Sequence, residues 1–238
     1  MPVDRPRAGS SEFPETRWTT ILAARSRPDL RRAVMQELCA HRWNALYACA
    51  RRRGLAADRA EDAVQGLLLQ LCEHDFLDRL DPERGSLRSY LKKALHHYLV
   101  NEHEREAAAK RGGGARALPI EAVEERLKSA EDDPERAFDR EWALALFEGA
   151  LGELENEYRS GARSGPVGVL RDLFRFGDAS PYDELAARNG MTVPQLKSFV
   201  YRARVRFKEL LLARVADTVA SEQEAQRELD DLLRAMAS

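Results

Sequence analysis

Lys197, Arg202, Arg204, Arg206 and Lys208 place five cations within twelve residues, with no acid before Glu209. The chemistry they suit is phosphate binding. At about 100° per residue, Lys197, Ser198, Tyr201, Arg202, Arg204, Arg206 and Lys208 fill one half of a helical wheel. Val193, Leu196, Val200, Ala203, Phe207 and Leu211 fill the other half. An ordinary solvated face mixes signs to gain pairs one turn apart, so a half with cations alone points to a polyanion.

The sequence just before this helix sets how it would be presented. A first helix over Pro181–Arg188, bounded by Ser180 and Asp183, stops at Asn189-Gly190, where glycine takes positive φ. Thr192 and Gln195 then form a capping box, with Pro194 in the first turn, where its missing N–H costs nothing. Two helices joined by a short glycine-containing turn make a helix-turn-helix, which lays its second helix in the DNA major groove. Gln195, Lys197 and Ser198, at the start of that helix, are placed for base edges or flanking phosphates. Tyr201, Arg202, Arg204, Arg206 and Lys208 are placed for the backbone.

A second basic segment lies upstream. After the turn Asp81-Pro82-Glu83-Arg84-Gly85, Ser86 caps a helix whose apolar stripe is Leu87, Leu91, Ala94, Leu95, Tyr98 and Leu99. Its other faces carry Arg88, Lys92, Lys93, His96 and His97, and it ends in Arg105, Lys110 and Arg111. Tyr90, Tyr98, His96 and His97 are candidate stacking residues, although the place of Tyr98 on the apolar stripe favours packing. The same helix holds His96, His97, Glu102, His103 and Glu104, but it contains no HExxH. His97 and His103, six apart, lie on roughly opposite sides of a helix, so they do not converge on one ion. Cys39, Cys49 and Cys72 form no CxxC pair, and buried thiols in a reducing compartment are expected. The residues suggest no catalytic constellation, metal site or cofactor; a metal-dependent nuclease is the weaker alternative.

The elements that must position these residues are all helical. No segment alternates like a strand. One helix is expected from Pro28 to Arg53 on a stripe of Leu30, Val34, Leu38, Trp43, Leu46 and Tyr47. Another begins at Asp58, with Glu61 completing a capping box and Val64, Leu67, Leu68 and Leu71 on one side. Asp133-Pro134 starts a helix with Phe138, Trp142, Leu146 and Leu154 as core, and a short helix is expected over Val169–Phe176. The fold class is therefore all-α: two small helical domains, 13–111 and 134–216, joined by a flexible acidic linker over 112–133 that opens on three glycines. Residues 1–12 form a frayed start, and 217–238 an acidic, helical extension.

The composition, 44 % hydrophobic and 33 % charged, belongs to a soluble globular chain. Lacking a long apolar run or a signal-like start, it is expected in the cytoplasm and away from membranes. The net charge of −2 conceals alternating blocks: +6 over 1–53, −6 over 54–83, +5 over 84–116, −9 over 117–157, +4 over 182–216 and −4 over 217–238. Such blocks suit a protein that meets nucleic acid on some surfaces and a protein partner on others.

The chain resembles bacterial RNA polymerase sigma factors of the extracytoplasmic-function type, within a group carrying an amino-terminal Phe-Pro-x-Thr-Arg-Trp-Thr motif. The stretches that carry the resemblance are Phe13-Pro14-Glu15-Thr16-Arg17-Trp18-Thr19, Ala60-Glu61-Asp62-Ala63-Val64-Gln65, Asp81-Pro82-Glu83-Arg84-Gly85, Ala109-Lys110-Arg111-Gly112-Gly113-Gly114, Tyr182-Asp183-Glu184-Leu185-Ala186 and Ala216-Asp217-Thr218-Val219. Together they extend over nearly the whole chain. The resemblance implies that the first domain binds the clamp helices of the polymerase largest subunit through Glu61, Asp62 and Gln65. It implies that the Ser86–Arg105 helix captures the opened non-template strand of the minus 10 element, through Arg88, Lys92, Lys93, His96, His97 and Arg105. The second domain would read the duplex minus 35 element and touch the polymerase flap; Lys197-Ser198 and Arg202-Ala203-Arg204 match the family's recognition helix. Core RNA polymerase and promoter DNA are the implied partners, and an anti-sigma protein is a further one the family admits. Gly66, Ser86 and Phe199 depart from the family pattern, and Gly66 in a helix interior is expected to cost about 1 kcal/mol relative to alanine. The competing function is a helix-turn-helix regulator that never acts as a sigma subunit; such a protein would usually dimerise on a palindrome.

Overall fold

The computed structural model describes residues 18–73, 76–110, 133–174 and 181–237. These residues are helical, with no strand among them: α1 (Trp18–Ala24), α2 (Pro28–Arg52), α3 (Ala57–Glu73), α4 (Phe76–Arg79), a 3-10 turn (Pro82–Arg84), α5 (Leu87–Lys110), α6 (Pro134–Arg159), α7 (Val167–Leu173), α8 (Tyr182–Arg188), α9 (Val193–Ala216) and α10 (Glu222–Ala237). No helix among them is long and apolar enough to cross a membrane. The expected frayed start, nearly all of the 112–133 linker, and the end of the helix expected to reach Phe176 lie outside the described residues.

Local signals fix most boundaries. Pro28 occupies the first turn of α2, where its missing N–H has no intrahelical partner. The Asp133 side chain accepts from the Glu135 N–H at 2.9 Å to cap α6. Ser86 Oγ accepts from the Ser89 N–H at 3.3 Å at the head of α5. The start of α3 differs from expectation: it begins at Ala57, which puts Asp58 inside the first turn rather than at the cap. α1 and the four-residue α4 are helices that the sequence analysis does not anticipate.

The two expected domains, 13–111 and 134–216, pack against each other over their described residues. One continuous core runs from Ile21, Leu38 and Leu91 through Phe138, Trp142 and Leu146 to Phe199 and Leu229. α6 lies against α2, with the Arg42 guanidinium 3.9 Å over the Trp142 ring and Phe138 stacked on Trp142. Burial pushes the Arg42 pKa down to about 10. α10 packs on α6 and α9, burying Ala225, Leu229 and Leu232.

The turn between α9 and α10 ties the two halves together through the backbone. The Asp217 carbonyl accepts from the Trp18 N–H at 2.9 Å, and the Thr218 carbonyl accepts from the Leu87 N–H at 3.1 Å. Both donors stand at helix starts, where no intrahelical acceptor exists. Trp18 meets Tyr90 edge-on, and the Tyr90 hydroxyl donates to the Asp81 carbonyl while accepting from the Asp81 N–H. Three stretches far apart in sequence, those of Trp18, Asp81 and Asp217-Thr218, therefore meet at one place.

Candidate nucleic-acid interface

The helix-turn-helix forms as its sequence predicts. α8 ends at Arg188 with Asn189 as its C-cap, Gly190 takes φ +63°, and α9 begins three residues later at Val193. Thr192 Oγ1 accepts from the Gln195 N–H, and Gln195 Oε1 accepts from the Thr192 N–H at 2.8 Å, completing the capping box. This occupies the Gln195 side-chain oxygen, so Gln195 serves first to start the helix rather than to read bases.

Two aromatic side chains aim α9. Phe207 packs against Phe147 and Phe174, with ring centroids 4.7 and 4.4 Å away. Phe199 stands edge-on to Tyr158 at 5.4 Å and is 1 % exposed, so it is a core residue. Gly165 borders the same ring at φ +154°, where a Cβ would collide with Phe199. With the apolar half so fixed, the opposite half faces outward. Lys197, Ser198, Tyr201, Arg202, Arg204 and Lys208 are exposed, Tyr201 by 71 %. Lys197, Arg202, Arg204 and Lys208 form no ion pair among the described residues.

Arg206 is different. Its guanidinium donates to Glu157 of α6 at 2.6 Å and to Glu209 at 2.9 Å, and these bonds raise its pKa above the ordinary arginine value. The same bond, with a further one from Arg163, holds the Glu157 pKa below the usual carboxylate range. Arg206 thus locks α9 onto α6 instead of facing a phosphate. Periodicity placed it at the edge of the basic half but carried no sign of an acid on another helix.

The six residues expected to hold a single strand divide between two faces of α5. Lys93, His97 and Arg105 are exposed, and Arg105 makes only a surface pair with Glu102. Arg88, Lys92 and His96 point the other way. Arg88 is 7 % exposed, binds Glu228 of α10 in bidentate fashion at 2.6 and 2.9 Å, and stands 2.7 Å from Asp139 of α6. Lys92 Nζ lies 3.2 Å from both Glu135 and Asp139. His96 has a ring nitrogen 3.0 Å from Arg53 Nη1. In this arrangement Arg88 and Lys92 are spent on internal carboxylates and cannot reach a strand; sequence spacing cannot show that α6 and α10 cover that side.

Tyr90 and Tyr98 are committed to packing. The Tyr98 ring lies against Gly66 of α3, and a Cβ there would overlap its hydroxyl. Gly66 is thus the gap that admits Tyr98 rather than a blemish in the helix. Cys49 is buried as expected, whereas Cys72 is exposed. The Cys39 thiol, beside Cys72, is pushed up to about 11, chiefly by burial. It stays protonated and a poor nucleophile.

Glu61, Asp62 and Gln65 are all exposed on α3. Leu69, one turn beyond Gln65, is 59 % exposed and joins the same sector of the wheel. The sequence reading passed over it, although its wheel angle sets it apart from Leu67, Leu68 and Leu71. Among the described residues, no three His, Cys, Asp or Glu side chains converge as metal ligands.

The chain matches no family model, no curated protein and no solved structure. The functional reading therefore rests on this geometry and on the motifs in the sequence.

Proposed function

We propose that the chain is a sigma subunit, which binds core RNA polymerase and directs it to promoters. The observation that carries the proposal is the outward half of α9. There Lys197, Arg202, Arg204 and Lys208 stay exposed and unspent while Phe199, Phe207 and Arg206 fix the helix from behind. A fixed helix that presents cations with no acid between them suits duplex phosphate. Lys197 and Ser198, near the helix start, would meet base edges of the minus 35 element. Tyr201, Arg202, Arg204 and Lys208 would hold the strands beside it.

The α3 face of Glu61, Asp62, Gln65 and Leu69 is the proposed seat for the polymerase clamp helices. It couples carboxylates for a basic partner with one exposed leucine as apolar anchor. Lys93, His97 and Arg105 form the accessible part of a proposed single-strand surface on α5. Work of this kind requires positioning and charge, with no bond made or broken in the sigma subunit itself.

Promoter-specific transcription with core polymerase and the purified chain is the test. Initiation from a defined start site is expected. Absence of both initiation and core binding would reject the proposal, and a dimer that binds a palindromic duplex without polymerase would favour the helix-turn-helix regulator instead.

A further inference from the structure

A charge cluster with one buried ion pair, Arg88–Glu228, lies between the two halves. Arg88 and Lys92 of α5 face three carboxylates contributed by two other helices: Glu135 and Asp139 from α6, and Glu228 from α10. Glu228 offers both oxygens to the Arg88 fork, as a phosphate would. Glu228 is itself 8 % exposed, so both members of the pair are withdrawn from water. A buried ion pair adds little stability over an apolar pair of the same size, which leaves its presence to be explained.

We propose that α10 is an internal mask: Glu228 occupies the Arg88 fork, a site on α5 that takes a phosphate of a single nucleic-acid strand, so that docking of α10 and binding of the strand exclude each other. The inference rests on the reading of α5 as a single-strand surface, which belongs to the proposed function.

Three features make the exclusion physical. Lys93, His97 and Arg105 lie along the outer side of α5 over about 18 Å, a span for several nucleotides, while Arg88 and Lys92 complete the cationic surface on the covered side. The cover is short and tethered at one point: α10 follows the Asp217-Thr218 turn, whose carbonyls hold the starts of α1 and α5. Its contacts with α6 and α9 are apolar on one side only, and its outer side carries Glu222, Glu224, Asp230 and Asp231 in the exposed class. Finally, Glu228 and a strand phosphate compete for the same guanidinium, so either one keeps Arg88 paired while the other is away from it.

Opposite responses of the two partners of one ion pair provide the test. Glu228→Gln removes the masking charge and leaves Arg88 buried with less compensation, a penalty borne by the covered state alone. Arg88→Ala removes the mask's anchor and the strand's ligand together. Binding of labelled oligothymidylate to the full chain is measured by anisotropy, with circular dichroism confirming the helical fold. Glu228→Gln should bind about tenfold more tightly than the parent chain, since a larger fraction is competent, and Arg88→Ala should bind more weakly than Glu228→Gln and no better than the parent. A structural ion pair would move both variants the same way, and that result overturns the mask; so does the absence of binding by parent and Glu228→Gln alike.

Should either variant fail to fold, hydrogen exchange of the parent chain gives a second readout. Saturating oligothymidylate should strip protection from the α10 amides, and unchanged α10 protection in the saturated complex overturns the proposal. Core binding separates this failure from that of the sigma reading: a chain that binds core and initiates, yet keeps α10 docked on single-strand binding, loses the mask alone.

Discussion

Gly66 shows how one residue can reverse an expectation. In a solvent-exposed helix, glycine to alanine gains about 1 kcal/mol. Here the added methyl would enter the Tyr98 ring, and overpacking of this kind costs about 1–3 kcal/mol. Gly66→Ala is therefore expected to lower the denaturant midpoint, and Gly66→Ala combined with Tyr98→Ala to recover the alanine's helix-forming benefit relative to Tyr98→Ala alone. Equal stabilisation by Gly66→Ala in both backgrounds would show that the ring does not occupy that gap.

Leu69 can be tested at the same scale. Because it is 59 % exposed, Leu69→Ala removes little from the core of this chain. If α3 seats the polymerase, the substitution should weaken core binding about tenfold, roughly 1.4 kcal/mol, with no change in melting temperature. Calorimetric titration against core polymerase reads both the affinity and its control. An unchanged affinity would remove Leu69 from the proposed interface.

At the level of the helix, α9 separates two kinds of arginine that share one face in the sequence. Arg202 and Arg204 are exposed and unpaired among the described residues, whereas Arg206 is tied to Glu157. Replacing Arg202 and Arg204 together with alanine should weaken duplex binding on all sequences and flatten the dependence of log K on log salt by about 1.8, two phosphate contacts' worth. Arg206→Ala should instead lower stability. Lys197→Ala should change sequence preference, and a loss equal on every duplex would assign Lys197 to the backbone.

α6 carries the pH dependence. Glu155, 2 % exposed, would have its pKa raised by burial, but bonds from Arg171 and Arg159 hold it below the usual value; Glu157 is lowered chiefly by Arg206. Carboxylates whose pKa is lower in the fold than in the unfolded chain stabilise the fold fully above the unfolded value, about 4.3 for glutamate. That contribution disappears as pH falls through the lower folded values. Urea midpoints should therefore drop as pH is taken below about 4.3, and Glu157→Gln should make the drop shallower. A midpoint flat across that window would contradict the assigned ion pairs.

For the whole molecule, the continuous core predicts cooperative melting. Trp142 and Phe138 from the second half pack with α2 from the first, and the Asp217-Thr218 turn holds the starts of α1 and α5. Calorimetry should give a single transition with van't Hoff and calorimetric enthalpies in agreement. Two separated transitions would restore the picture of independent domains.

The sequence by itself determined the long helices and which of their faces are apolar. The Thr192–Gln195 box, the Asp133-Pro134 start and Gly190 were legible because caps and turns depend on neighbours a few residues away. The apolar half of α9 was legible because the helical period alone decides which side chains share a face. What the tertiary structure decided was the fate of individual charges. Arg88, Lys92 and Arg206 looked like Lys93, Arg202 and Arg204 in the sequence, since a cation's partner depends on which helix lies against it. The carboxylates that claimed Arg88 and Lys92 come from 43 to 140 residues away, and Glu157, which together with the local Glu209 holds Arg206, comes from 49. No local pattern encodes contacts at such separations. The outward cations of α9 remain because the core turns their side away from every other described helix, and that orientation is the physical basis of the proposed function.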